Sequence, residues 1–218
     1  NQWHGIDCYP QLLASFITPN HPCIAPVVKR ASEHLSHLCG ASDFTGYFRG
    51  DKEHVCLQIK AIYQSLHEEG ISFILNMPTY EEKGQRIRLA NEVLADKMGN
   101  CMDLTLLFAA CLEYIGINTL LILERGHIYL GAWLLPDSHV RSVDDDLTFL
   151  LKLYDCGLFT VGLHTRNYLI NAYLPAYCLG SCFIITRQHN NTNAHIIRSL
   201  ADILSRFLHF VKSCRHQN

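Results

Sequence analysis

A chain of 218 residues that is 49% hydrophobic and 17% charged carries enough apolar material for a full core, so one domain spanning residues 1–218 is expected. Its net charge of −2, with no run of five basic residues, disfavours direct nucleic-acid binding. Apolar runs of at most about a dozen residues are too short for a membrane span.

Residues 1–22 contain Pro10, Pro19 and Pro22 and read as an irregular or partly helical lead-in. Residues 22–38 read as a helix closed by Gly40. A longer amphipathic helix over 52–69 places Val55, Ile59, Ile62, Tyr63 and Leu66 on one face and stops at Gly70. The segment 71–75, ISFIL, reads as a short strand, 80–84 as a polar turn and 87–98 as a further helix.

From Cys101 to Tyr114, apolar residues at Leu104, Leu107, Phe108, Cys111, Leu112 and Ile115 follow the i, i+3, i+4, i+7 spacing of a helix pressed into a core. Gly99 permits a tight turn before it, and Asn100 is the N-cap. Asp103 falls at the third helical position, where a carboxylate bonds back to the cap. Gly116 ends the helix. A buried strand over 117–124 (INTLLILE), a turn at Arg125-Gly126 and a second strand over 127–135 (HIYLGAWLL) follow.

Further on, Asp144, Asp145 and Asp146 read as a solvated helix start, leading through 154 to a strand at 158–165. A strand at 183–187 and an amphipathic C-terminal helix over 194–213 complete the chain. The expected architecture is α+β, with helices around a small antiparallel sheet.

The chemistry centres on two residues. Cys101 lies in the first helical turn, where backbone N–H groups without intrahelical partners stabilise a thiolate, so its pKa is expected to fall towards neutrality. The antiparallel strand pair carries His127 to the same helix end. An imidazole about 3–4 Å from the sulfur takes the thiol proton and later returns it to a leaving group. Each residue alone has a plainer reading, Cys101 as a small buried hydrophobe and His127 as a strand histidine. Their order and spacing favour a cysteine acyl-transfer site.

Residues 84–135 resemble the transglutaminase-like superfamily, and within it the bacterial variety found alone or joined to helicase and nuclease regions. The pattern there runs Gln-Arg-x-Arg, then Gly-x-Cys-x-Asp, then Gly-His-Ala-Phe-x-Gly-x-Trp. Gln85, Arg86 and Arg88 match the first part, Gly99, Cys101 and Asp103 the second, and Gly126, His127, Gly131 and Trp133 the third. TPNHPCIAPVVKRASEHL and HVCLQIKAIYQSLHEEGISF upstream also resemble it, so the likeness runs from about 16 to 165 with its motifs in order.

The resemblance implies a papain-like core of one Cys-bearing helix on an antiparallel sheet, and a cysteine-dependent protease, amidase, deamidase or transglutaminase-like activity on a protein or peptide amide. Cys101 and His127 are then the catalytic pair. Gln85 is an oxyanion donor or a structural residue, and Trp133 is core or cleft wall. Asp103, Arg86 and Arg88 are structural supports. The family's third residue, an Asp or Glu that orients the imidazole, falls at Leu163 here, and Ile128-Tyr129 replaces Ala-Phe after the histidine. Asp144, Asp145, Asp146 or His164 could substitute for the acid. Loss of the acid makes a catalytically degenerate binding or scaffold domain the alternative.

The ten cysteines include no Cys-x-x-Cys, and Cys56, Cys111, Cys178 and Cys182 sit in apolar surroundings, so reduced thiols in a cytoplasmic protein are expected. No paired ligand spacing points to a metal, and the chemistry needs no cofactor. No signal-peptide pattern opens the chain, which begins at Asn1 rather than Met. A processed piece of a longer protein is therefore expected, with neighbouring domains or an export signal removed.

Overall fold

The structure, a computed structural model, describes residues 2–5, 10–74, 84–124 and 127–136, and beyond them five further strands. The lead-in holds strand β1 (Gln2–Trp3) and a 3-10 helix (Pro10–Phe16). Helix α1 (Ile24–Cys39) and helix α2 (Lys52–Glu68) follow, and α1 closes on Gly40 as expected. Then come β2 (Ser72–Phe73), β3 (Gln85–Arg86), α3 (Ala90–Asp96), β4 (Met98–Gly99) and α4 (Cys101–Tyr114). A hairpin of β5 (Thr119–Glu124) and β6 (His127–Trp133) leads to β7 (Val143–Asp145), β8 (Leu158–Gly162), β9 (Ile170–Asn171), β10 (Cys182–Thr186) and β11 (Ala194–Ile197). The fold is α+β.

Helix α4 is the central element. It packs on β5 and β6 on one side and meets α1, α2 and α3 on others. Every residue from Thr105 to Leu112 is therefore buried, including the small Ala109 and Ala110. The sequence pattern pointed to one apolar face, whereas a helix between a sheet and other helices is covered nearly all round. The chain leaves α4 through Gly116, whose φ of +79° is left-handed and favours glycine.

Seven strands form one sheet in the order β11-β7-β10-β5-β6-β8-β9. The β5–β6 hairpin is antiparallel and in register from Thr119 opposite Ala132 to Glu124 opposite His127. Leu121, Leu123, Ile128, Leu130 and Ala132 join the core cluster that includes α4, as strand alternation requires. On the other side of the hairpin, β8 pairs antiparallel with β6, Leu130 opposite Val161.

Four expectations differ from the structure. The helix expected over 87–98 is α3, Ala90–Asp96. Residues 87–89 stay outside the helix, with Leu89 extended at the cap, where its N–H bonds Glu92 Oε2 at 2.9 Å, and Met98 belongs to β4, which pairs with β2. Lys97, at φ 52°, ends the helix. The expected helix start at Asp144 and Asp145 is strand β7, where pairing of Asp144 with Ile184 and of Asp145 with Ile197 overrides the capping preference of aspartate. Residues 146–154 lie outside the described residues. Ala194–Ile197, expected to begin the C-terminal helix, is strand β11, in keeping with its β-branched Ile196 and Ile197; residues 198–213 lie outside the described residues. Because β11 runs parallel to β7, the sheet is mixed, not purely antiparallel.

Buried polar groups fix the approach to the hairpin. Gln58 Oε1 accepts the N–H groups of Thr45 and Gly46, each at 3.0 Å, while its Nε2 donates to Gly46 O at 2.9 Å. This holds the turn that delivers Tyr47. The Tyr47 hydroxyl donates to Trp133 O and accepts from Asn118 N–H, both at 2.9 Å. Burial pushes its phenol from 10.0 up to about 12. Tyr47→Phe is expected to cost about 1–3 kcal/mol, read as a lowered melting temperature at neutral pH. A raised folded-state pKa means the proton is held more tightly in the native state. The stabilisation is therefore complete below pH 10 and lost as the pH rises through about 12. The variant should show a shallower fall in melting temperature over that window.

Candidate active site

Asn100 and Asp103 form the expected capping box. Asn100 Oδ1 accepts the Asp103 N–H at 2.9 Å, and Asp103 Oδ2 accepts the Asn100 N–H at 3.1 Å. The carboxylate is fully buried and makes two further bonds, from Arg88 N–H to Oδ1 at 2.9 Å and from Arg88 Nη1 to Oδ2 at 3.2 Å. One side chain thus ties the start of α4 to the segment before α3. Gly99 belongs to this packing, because a Cβ there would lie 3.2 Å from Asp103 Cβ and 3.4 Å from Leu104 Cδ2. Close approach, more than a turn, explains the glycine.

Cys101 is therefore fixed as the first residue of α4, half-buried. Burial is the largest influence on its thiol and pushes the pKa up; the Asp103 carboxylate acts in the same direction. The backbone N–H groups of Met102, Ile128 and Cys101 itself favour the thiolate and oppose this shift. The expected fall towards neutrality is thus overturned: desolvation outweighs the helix-start N–H groups, and the resting group is the neutral thiol. The Ile128 N–H also places the start of β6 beside the sulfur, one residue from His127. The imidazole itself lies outside the described residues.

Other residues singled out by sequence have different places. Arg86 reaches away from α4 to Glu92, 3.4 Å distant, and is 66% exposed. Gln85 is buried on β3, opposite Trp3, and its Nε2 donates to Arg86 O at 3.3 Å. Trp133 is buried at the far end of β6. Six residues of extended chain separate it from His127, about 20 Å. It anchors Tyr47 and stands far from Cys101. Leu163 and His164 lie outside the described residues, immediately beyond β8.

Sequence reading missed the Ile128 N–H as a partner of the thiol. A backbone group leaves no residue-type signal, although the hairpin register implies its position. Among the described residues, no group of three or more His, Cys, Asp or Glu could hold a metal ion, no disulfide joins the cysteines, and no helix is long and apolar enough to cross a membrane.

No protein-family model, no curated protein and no solved structure matches this chain.

Proposed function

We propose that the protein is a cysteine-dependent amide hydrolase or acyl transferase with a papain-like, transglutaminase-like core, acting on a protein or peptide amide in the cytoplasm. The observation that carries this reading is the placement of Cys101 at the capped start of the central helix, with the N–H of Ile128, next to His127, at its sulfur. His127 takes the thiol proton and the sulfur attacks the amide carbonyl. Backbone N–H groups at the helix start hold the oxyanion, and His127 returns the proton to the departing amine. Water then resolves the thioester in hydrolysis, or an amine does so in crosslinking. A thiol held neutral by burial makes the base indispensable, and no metal or cofactor is needed.

A second reading, a degenerate binding or scaffold domain, is favoured by Leu163 at the acid position and by the raised thiol.

Acyl-enzyme trapping separates the two. With an activated aryl ester, the full chain should gain one acyl group, mapped to Cys101, and His127→Ala should slow acylation about 100-fold or more. Acylation that persists in Cys101→Ala, or that ignores His127→Ala, would decide for the scaffold.

A further inference from the structure

A second Cys/His pair lies before α1, apart from Cys101. His21 Nδ1 is 3.0 Å from Cys23 Sγ, and the same ring nitrogen accepts the Cys23 backbone N–H at 3.3 Å. A nitrogen that accepts an N–H carries no proton, so the ring is the Nε2–H tautomer and the thiol is the donor. Cys23 is the N-cap residue of α1, yet its side chain caps nothing. The turn is braced on both sides, by His21 N–H to Thr18 O at 3.2 Å and by Ile24 N–H to His21 O at 3.0 Å. His21 and Cys23 are half-buried with exposed Pro22 between them, and Cys23 packs against the edge of the core, where burial pushes its thiol up, so the sulfur needs a base at hand before it can attack. Cys39 provides the contrast. It is more exposed, but its thiol donates to Leu35 O at 3.3 Å and has no such base.

We propose that Cys23 is a thiol–disulfide exchange site, assisted by His21 as base, that accepts small disulfides. The Cys23 S–H proton passes to His21 Nδ1. The sulfur attacks one sulfur of the small disulfide, whose S–S bond breaks as the Cys23 mixed disulfide forms. The departing thiolate takes the proton from His21 and leaves as a thiol, so atoms and electrons balance without another reactant.

The test uses the reduced full chain and 2-hydroxyethyl disulfide at pH 7, with acid quenching and peptide mapping. Cys23 should form the mixed disulfide about tenfold faster than Cys39, despite its lower exposure. His21→Asn keeps an acceptor for the Cys23 N–H but removes the base. It should bring the Cys23 rate to that of Cys39 or below, with the Cys39 rate unchanged. Modification of Cys39 as fast as Cys23 in the wild type, or an unchanged Cys23 rate in His21→Asn, would overturn the proposal. Labelling of fully buried Cys111 reports any unfolding of the variant, and the wild-type ratio is then decisive alone.

Discussion

Asp103→Ala should destabilise the protein by about 3–5 kcal/mol, the cost of breaking a buried ion pair by removing one partner. The carboxylate accepts from Asn100 N–H, Arg88 N–H and Arg88 Nη1, and the guanidinium left behind is only 14% exposed. Against a typical total of about 5–15 kcal/mol, that is a large share. Urea unfolding measures it. Arg86→Ala is the internal comparison, because the Arg86–Glu92 pair is largely exposed and should cost no more than about 1 kcal/mol. If the two variants unfolded at the same urea concentration, the Asp103 network would not be what fixes the first turn of α4. Cys101 would then lack the rigid placement on which its proposed role depends.

Local signals made the centre of the fold legible. Asn100, Asp103 and the apolar spacing from Leu104 to Ile115 define α4 through chemistry contained in sixteen consecutive residues, 100–115. The β5–β6 hairpin was equally readable, since its apolar strands flank a single Arg-Gly turn. What failed depended on distant partners. Met98 leaves the helix expected over 87–98 because β2, some twenty-five residues earlier, pairs with it, and no helix-propensity argument over 87–98 contains that information. Asp144 and Asp145 carry a capping preference, whereas β10, opposite Asp144, and β11, opposite Asp145, recruit them into the sheet. Gln58, a polar residue within α2, is buried to hold the Thr45–Gly46 turn, a role set by a loop more than ten residues away. The Cys101 thiol shows the same limit. The helix start was visible in sequence, but the burial that reverses its effect comes from packing across the fold. In each case the local preference was real and a tertiary contact outweighed it.

Leu163→Glu should increase amide or thioester turnover at least tenfold if the chain is a weakened enzyme, because an acid that orients the catalytic imidazole is worth up to about 10⁴ in rate. The β8 strand runs antiparallel to β6, and Gly162, the last residue before position 163, lies towards the end of β6 that bears His127. Position 163 itself lies outside the described residues, and its assignment to the orienting acid rests on the motif resemblance. Adding Cys101→Ala to the same chain must remove the gained activity, since any rate that survives would arise from the new carboxylate acting by itself. An unpaired carboxylate costs stability wherever it is shielded from water, so the melting temperature has to accompany the rate. Retained folding with a higher, Cys101-dependent rate would identify the missing acid as the defect in an otherwise competent site. A folded Leu163→Glu variant without activity, beside a wild type equally inert towards a broad amide panel, would instead mean that Cys101 and His127 persist for reasons of packing and that the domain acts by binding.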